Sequence, residues 1–267
     1  AGRDLVAELD RTRKANGSVD GLVDHTAFGI FAYRAAGDGA GSGRVQAAVT
    51  WLVRQQNADG GFGFAKRGTG SDIDNTGSSL EALVGGGRGS GAPARKAVAF
   101  LRAHQNPDGG FPLNPGSTSN AQSTAWAIQG LVADGRNPAS FTKGGRSPVA
   151  FLRTLMGPGG AVRYSRTSQQ TPVWVTGQAR TALEGKPFPL APVPRASHAR
   201  AASGAGAAGS GSVAAGAASP APKRAHARTR RKRAAAATAP AQPAPAVSDG
   251  SIMRAAYVAG MLAGVLF

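Results

Sequence analysis

Hydrophobic residues in the first 185 positions recur with helical spacing, in segments separated by stretches rich in Gly, Ser, Asn and Asp. Val49, Leu52 and Val53 would lie on one face of a helix, and Val98 and Leu101 would do the same in a later segment. Each apolar face is too narrow for a helix that is stable alone. The pattern therefore predicts helices that bury their faces by packing against one another.

These segments belong to a repeat of about 50 residues. One copy reads WLVRQQNADGGF over 51–62, and the next reads FLRAHQNPDGGF over 100–111, 49 residues later. Threonines in a second apolar segment of each copy follow the same period, at positions 26, 76, 124 and 176. A period of this length is typical of stacked supersecondary units. The sequence predicts four hairpins of helix, Gly-rich turn, polar loop and helix, without β-strands in residues 45–135.

Glycine and polar residues mark the helix ends. The Gly-Gly pair after each Asn is expected to end the first helix, because the left-handed backbone conformation costs little for Gly. The threonine, or a polar residue just before it, is expected to cap the second helix. Gly85–Gly87 and Gly135 are expected to end that helix.

The first helix and its turn resemble the QW motif of squalene–hopene cyclases, in which an aromatic–Leu pair is followed by Gln, Gly and a terminal aromatic. The matching residues are Trp51, Gln56, Gly60, Phe62, Phe100, Gln105, Gly109 and Phe111. Phe replaces the terminal Trp of the motif in both copies. The chain resembles the prenyltransferase/squalene oxidase repeat family, within the terpenoid cyclase/protein prenyltransferase α/α-toroid superfamily. The resemblance implies an all-α toroid of two concentric helical layers around a central cavity.

Four hairpins are fewer than that family usually uses to close a ring, so we expect an incomplete barrel. Ala1 begins the sequence without a Met or a signal peptide. A chain that lacks its N-terminal repeats would explain both observations. Closure of the ring by self-association is the alternative.

Composition divides the chain into three parts. Residues 1–186 form the predicted repeat domain, and residues 187–250 are rich in Ala, Pro, Gly and Arg, which predicts a disordered linker. Residues 251–267 are apolar apart from Arg254 and an initial Ser, and predict a shortened transmembrane segment, with a short amphiphilic tail as the alternative. The predicted location is extracytoplasmic, at the cell surface, with a membrane anchor at the C-terminus.

Of the formal net charge of +17, residues 1–195 contribute +9 through scattered side chains, and the remainder contributes +8, most of it from one concentrated patch in the linker. The basic cluster there comprises Lys223, Arg224, Arg228, Arg230, Arg231, Lys232 and Arg233. Such a run binds polyanions by counterion release, so nucleic acid, anionic lipid and an anionic envelope polymer all fit. No nucleic-acid-binding motif accompanies it, and the neighbouring membrane segment favours lipid or envelope polymer. A solvated run without a partner is the alternative.

One polar stretch contains a candidate catalytic acid. Asp72-Ile-Asp-Asn-Thr76 resembles the Asp-x-Asp-Asp-Thr motif of the cyclases, whose middle Asp protonates a double bond. Asp72, Asp74 and Thr76 match the motif, whereas Asn75 replaces its third Asp. The resemblance implies that Asp74 is the proton donor and that Asp72 supports it, because clustered carboxylates share protons.

Helix capping is the alternative role for this stretch. The equivalent residues of two other copies, 22–26 and 120–124, are also polar before the threonine, and capping explains them without catalysis. Asp24 and His25, from the neighbouring repeat, are further candidate catalytic residues that would lie at the same rim of the cavity as Asp72 and Asp74. The candidate cavity aromatics, which could stabilise a carbocation or belong to the core, are Phe64, Trp126 and Trp174.

The chain has no cysteine, which excludes disulfides and thiolate chemistry. Protein prenyltransferases of the same superfamily use a Cys among their zinc ligands, and the four His residues here lack paired spacing. We therefore expect no metal site and no cofactor.

Two functions remain. The first is a surface-displayed, non-catalytic binding or scaffold module whose apolar cavity holds an apolar or isoprenoid-like ligand. The second is a terpenoid cyclase or mutase that uses Asp74 as its acid. A cyclase needs a closed, aromatic-lined cavity and the second barrel domain of that family, and this sequence lacks that domain. The sequence alone therefore favours the module.

The basic cluster generates a first prediction. Limited proteolysis should cut first within residues 196–248 and release a core of about 190 residues. The whole chain should sediment with anionic vesicles, and binding should fall steeply with added salt because the contact is charge neutralisation. Equal binding by the released core, or binding that salt does not weaken, would contradict a role for the cluster.

Overall fold

The computed structural model of the chain describes residues 3–190, and this part folds into helical hairpins. The helices are α1 Leu5–Thr12, α2 Val23–Ala35, α3 Gly43–Arg54, α4 Ile73–Gly85, α5 Ala92–His104, α6 Ala121–Ala133, α7 Pro148–Thr154 and α8 Pro172–Leu183. A 3-10 turn spans Pro138–Ser140, and two short strands, β1 Phe111–Pro112 and β2 Ser119–Asn120, form an antiparallel pair between α5 and α6.

The helices alternate between two layers. α2, α4, α6 and α8 lie side by side in chain order and form the inner layer. α3, α5 and α7 form the outer layer, each packed mainly on the inner helix that precedes it in the chain. The helix-rich hairpin repeat is therefore confirmed for the described residues, and closure into a toroid stays a prediction.

Burial distinguishes the two layers. In the outer helix α3, the buried residues form a single stripe that includes Val45, Ala48, Val49 and Leu52. In the inner helix α6, every residue from 123 to 131 is buried, because neighbours cover it on several sides. Amphipathic spacing thus identifies outer helices, whereas small and apolar residues all round identify inner ones.

The expectation of no β-strand in residues 45–135 is wrong in one detail. Phe111 pairs with Asn120 through β1 and β2, and Phe62 forms a single bridge with Asp72 at the equivalent place of the preceding copy. These pairings close the polar loop just before each inner helix. Because they occupy the same repeat position, they support the repeat assignment.

The QW-like glutamines join consecutive hairpins. Gln56 Nε2 donates to a carbonyl of its own turn and to Pro93 O in the first turn of α5, both at 2.8 Å. Gln105 Nε2 likewise donates to a carbonyl of its own turn and to Phe141 O, both at 2.9 Å. One amide thus joins the turn after α3 to the next hairpin, and another does the same for the turn after α5.

The first Gly of each Gly-Gly pair has a conformation that other residues rarely adopt. Gly60 and Gly109 have φ of 88° and 87°. A Cβ atom on either would lie 2.7 Å from a backbone oxygen of the next hairpin, that of Lys96 or Ser147. The outer helix ends earlier than the sequence suggested, at Arg54 in α3, so these glycines shape the turn and not the helix end.

The four repeat threonines hold the starts of the inner helices. Thr26, Thr76, Thr124 and Thr176 accept, through Oγ1, the backbone N–H groups of Val19, Phe62, Phe111 and Val162 at 2.9–3.0 Å. Their predicted equivalence is confirmed. The threonines do not cap, however, because α4 and α6 begin earlier, with Asp72 and Asn120 as caps.

The backbones of α4 and α6 touch at two glycines. A Cβ atom on Gly77 would lie 2.5 Å from Trp126 O, and one on Gly130 would lie 2.7 Å from Gly77 O. Any side chain at Gly77 would push the two inner helices apart. This contact sets the spacing of the inner layer at its centre.

Three sequence predictions concern residues beyond Leu190. The linker from 191 onward, the basic cluster 223–233 and the predicted transmembrane segment 251–267 lie outside the described residues. None of the helices within residues 3–190 is long and apolar enough to cross a membrane. The first residues assigned to the linker, 187–190, are described, and Phe188 packs against the core.

The helix contact at Gly77 generates a second prediction. Gly77→Ala should lower the free energy of unfolding by about 1–3 kcal/mol, because the added methyl group overpacks α6. Gly177 occupies the same repeat position in α8 but has open space around it. Gly177→Ala should raise the free energy of unfolding by about 0.5–1 kcal/mol through the helix preference of Ala. Urea denaturation measures both, and a matching effect at the two sites would contradict the close contact.

Candidate active site

Asp74 belongs to a row of equivalent positions across the inner layer. The residues two positions before the four repeat threonines are Asp24, Asp74, Gln122 and Trp174. They lie in the first turns of α2, α4, α6 and α8, which pack side by side. Repeat symmetry therefore places the candidate acid between Asp24 and Gln122 at one rim of the layer.

Asp72 is occupied as a helix cap. Its Oδ1 accepts the backbone N–H of Asn75 at 2.8 Å, and its Oδ2 accepts the Asn75 side-chain amide at 2.7 Å. Asn120 caps α6 in the same way through the N–H of Ser123, at 2.8 Å. The capping interpretation therefore applies to Asp72. Asn75, the departure from the acidic motif, holds this cap in place.

Asp74 caps nothing. Its Oδ2 accepts a 3.3 Å hydrogen bond from Gln122 Nε2, and its Oδ1 is shielded from solvent without a hydrogen-bond partner within residues 3–190. Burial raises the pKa of Asp74 to about 7; the nearby Ser123 hydroxyl opposes this rise, and the negative charges of Asp72 and Asp24 add to it. Asp74 is thus a carboxyl that retains its proton close to neutral pH.

Two more titratable groups share the rim. Burial raises the pKa of Asp24 to about 6, the His25 charge opposes this, and the Asp72 charge contributes to it. The pKa of Tyr164 is raised by burial and by the negative charge of Asp74. Tyr164 comes from the loop of the following copy, and its backbone oxygen accepts the N–H of Ala121 at the start of α6.

His25 does not face Asp24 as a partner. Its Nδ1 lies 2.9 Å from Asp20 Oδ2, and its ring meets the edge of Phe64 with centroids 6.2 Å apart. Phe64 is half-buried, and its backbone oxygen accepts the N–H of Asp24 at 3.2 Å. These two sequence candidates therefore close the rim beside Asp24, and the pair His25–Asp20 is mainly structural.

The predicted cavity aromatics occupy different environments. Trp126 is buried in the inner layer, and its ring lies 5.5 Å from that of Phe28. Phe28 and Trp126 each lie two positions after the threonine of their repeat, and the equivalent residue of α4 is Ser78. Trp174 is half-buried in the rim row. The aromatic residues of the QW-like motif, Trp51, Phe62, Phe100 and Phe111, are core residues.

Sequence reasoning missed a second buried acid, Glu81. It lies seven residues after Asp74 on α4, and only 1% of its surface is exposed. Burial raises the pKa of Glu81 to about 8, opposed by a hydrogen bond from the N–H of Phe188. The sequence does contain a signal for Glu81, because a single Glu between Leu80 and Ala82 is unusual in an apolar helix. Alignment of the four copies would also have shown that Gln122 occupies the position equivalent to Asp74.

Two clefts open at the surface. One of about 380 Å³ is lined by residues that include Gly160, Pro172 and Arg180, and one of about 570 Å³ includes Arg95 and Asp134. Neither contains Asp74 or Glu81. In the part of the chain that is described, no cluster of His, Cys, Asp and Glu is arranged to hold a metal ion.

The raised pKa of Asp74 generates a third prediction. Because the folded-state pKa is near 7 and the unfolded value is about 4, the contribution of Asp74 to stability is fully present below pH 4 and is lost as pH rises from about 4 to 7. Asp74→Asn should remove part of this loss between pH 5 and 8, on the order of 2–4 kcal/mol.

Glu81 and Asp24 shift in the same direction, so a weaker slope should persist in the variant. Urea denaturation at several pH values measures the effect. Asp134→Asn, at an ion pair with Arg136 away from the rim, is the control and should leave the slope unchanged. An unchanged slope in Asp74→Asn would show that Asp74 ionises normally.

The chain is similar in sequence to terpene cyclases. It is 36% identical over 128 residues to drimenyl diphosphate synthase of Streptantibioticus cattleyicolor, a match that covers 47% of this chain and 23% of that protein. It is 37% identical over 114 residues to squalene–hopene cyclase of Zymomonas mobilis, covering 38% and 17%. The matches thus span about a fifth of the length of these curated relatives.

No protein-family model matches the chain. Among solved structures, the apo type II terpene cyclase MstE from Scytonema is 15% identical, with a TM-score of 0.41 and coverage of 68% of this chain and 70% of that one. Over the matched segments, this chain resembles terpenoid cyclases of the terpenoid cyclase/protein prenyltransferase superfamily.

Proposed function

We propose that this chain provides the proton-donating part of a squalene–hopene-like terpenoid cyclase, with Asp74 as the acid. The observation that carries the proposal is a buried carboxyl that caps no helix and has a pKa of about 7. The relatives are named as a squalene–hopene cyclase and a drimenyl diphosphate synthase, which favours an enzyme over the non-catalytic module. The substrate class would be an isoprenoid chain.

The proposed step is protonation of a carbon–carbon double bond. Asp74 would give its proton to one alkene carbon, the π electrons would form the new C–H bond, and a carbocation would remain on the other carbon. The resulting Asp74 carboxylate would face that cation in a site that excludes water. The faces of Phe28 and Trp126 could stabilise positive charge further along the inner layer.

Asp72 and Asn75 have a supporting role in this proposal. The cap between them fixes Asp72 beside Asp74, where its negative charge opposes loss of the Asp74 proton. Asn75 cannot add a third carboxyl, so the proton is shared among fewer groups than in the motif that the sequence resembles. Burial is therefore the largest cause of the raised pKa of Asp74.

The ring architecture is part of the same proposal. Four inner helices in chain order, with outer helices behind them, are the arrangement expected of an α/α-toroid segment. In a closed toroid the rim row of Asp24, Asp74, Gln122 and Trp174 would surround one mouth of the cavity. Location outside the cytoplasm, membrane anchoring and polyanion binding remain proposals that concern the C-terminal part of the chain.

A binding module is the second candidate function. Phe188 covers the inner face between α2 and α6, and neither of the two clefts described above reaches Asp74. A module of this kind would hold the apolar ligand without turning it over. The two candidates therefore differ in whether Asp74 has any chemical effect.

The cyclase proposal generates a fourth prediction. Asp74→Asn should lower the turnover of squalene or farnesyl diphosphate by at least about 100-fold, because the amide cannot donate the proton. Activity of the unsubstituted chain should fall as pH rises above 7, where Asp74 loses its proton. Product formation is measured by gas chromatography, after dephosphorylation where needed.

Asp134→Asn is again the control and should retain activity. Turnover that survives in Asp74→Asn would exclude Asp74 as the acid. An unsubstituted chain that binds squalene or farnesyl diphosphate and yields no cyclic product would favour the module.

A further inference from the structure

The segment that follows α8 lies across the inner layer. The ring of Phe188 lies 5.8 Å from that of Phe31 in α2 and 6.0 Å from that of Trp126 in α6. The backbone N–H of Phe188 donates to the Glu81 carboxyl in α4. Residues 186–190, the strap, therefore contact three inner helices through one residue.

The inner face beneath the strap contains more polar groups than the strap satisfies. Glu81 Oε2 and both polar atoms of the Gln129 side chain are buried without a hydrogen-bond partner in the described part of the chain. Glu81 and Gln129 each follow their repeat threonine by five positions, so they lie on the same face of adjacent helices. Buried groups of this kind normally have partners, because leaving them unsatisfied is costly.

A purely structural role does not explain these groups. The same repeat position in α2 is Phe31, which is buried and apolar. The fold therefore accepts an apolar side chain at this depth. An acid and an amide at equivalent positions of adjacent helices, with Phe31 and Trp126 both against the Phe188 ring, are the kind of lining that suits an apolar ligand with a polar end.

We propose that Glu81 and Gln129, with Phe28, Phe31 and Trp126, form a binding site for a hydroxyl-bearing isoprenoid chain, and that Phe188 occupies this site until the ligand displaces it. The hydroxyl would donate to Glu81 in place of the Phe188 N–H and would accept from Gln129 Nε2. The apolar chain would replace the Phe188 ring. The inference rests on the proposed function only for the isoprenoid class of the ligand.

The site is continuous with the candidate acid. Glu81 lies seven residues after Asp74 on α4, a distance of roughly 10 Å along the helix axis. Ser78 lies between them, flanked by Phe28 and Trp126 at the same position of the neighbouring helices. A chain bound by its hydroxyl at Glu81 would run past these aromatics and place a more distant double bond near Asp74.

Trp126 provides the reporter for a test. The chain has three tryptophans, and Trp51→Phe with Trp174→Phe leaves Trp126 alone. Phe fits at position 51, because Phe100 and Phe151 occupy the equivalent buried positions of later copies. Farnesol is then titrated into the full chain carrying these two substitutions, the parent, while Trp126 emission is recorded.

The expected result is tighter binding when the strap residue is removed. Phe188→Ala should bind farnesol at least about 10-fold more tightly than the parent, because the parent must first release Phe188. Lys186→Ala changes an exposed residue of the same strap and should leave the affinity at the parent value. Phe188→Leu, which retains part of the apolar volume, should give an intermediate affinity and replaces Phe188→Ala if that variant does not melt cooperatively.

The role of Glu81 is tested with farnesyl methyl ether, which lacks the hydroxyl donor. The Phe188→Ala variant should prefer farnesol to the ether, and Glu81→Leu in that background should abolish the preference. Glu184→Leu, at an exposed site after α8, should retain it. Equal farnesol affinity in the parent and Phe188→Ala, or a preference that Glu81→Leu does not change, would overturn the site.

These outcomes are separable from those of the cyclase proposal. Tight farnesol binding by Phe188→Ala, in a chain that never turns over an isoprenoid, would retain the site and overturn the cyclase. Turnover that depends on Asp74, with farnesol binding unaffected by Phe188→Ala, would retain the cyclase and overturn the site.

Discussion

One hydrogen bond in each hairpin, accepted by the repeat threonine, fixes the start of the inner helix and with it the candidate site residues. The hydroxyl of Thr76 accepts the N–H of Phe62, and Thr124 does the same for Phe111, both at 2.9 Å. Each bond attaches the start of an inner helix to the turn of its own outer helix. The glutamine of that turn is bonded in addition to the next hairpin, as with Gln56 and Pro93. The starts of α4 and α6 are therefore each fixed relative to two hairpins, and the residues just before their threonines have little freedom.

Two carboxyl groups in that fixed stretch have different physical roles. Asp72 caps α4, an interaction that contributes about 1 kcal/mol and that Asn120 performs equally in α6. Asp74 caps nothing, and the equivalent residue of α6 is the neutral Gln122. An acid at Asp74 therefore brings the fold no visible benefit, while its burial costs free energy whenever it ionises. This contrast within a single motif is the physical reason for assigning chemistry to Asp74 and structure to Asp72.

The sequence predicted the features that recur and missed those that occur once. The period of the threonines and of the Gln and Gly residues was sufficient for the hairpins, the turns and the equivalence of Phe62 and Phe111. It left open whether Thr76 or a polar residue just before it caps α4, because the cap and the threonine bond lie within about one helical turn of each other. Phe188 and Glu81 were beyond its reach, since their contact joins residues 107 positions apart and belongs to no repeat. The hydrogen-bond partner of His25, the nearby Asp20, likewise belongs to no repeat position that the sequence singled out.

The inner face of α4 thus presents two buried acids, Asp74 and Glu81, separated by two helical turns and flanked by aromatic residues of α2 and α6. The proposed chemistry depends most on whether Asp74 is protonated at neutral pH. A ¹³C NMR titration of the Asp74 carboxyl carbon, assigned by comparison with Asp74→Asn, measures it directly. The account predicts a midpoint near pH 7. A midpoint near the ordinary aspartate value of about 4 would contradict it, because Asp74 would then be ionised at neutral pH and could not donate a proton.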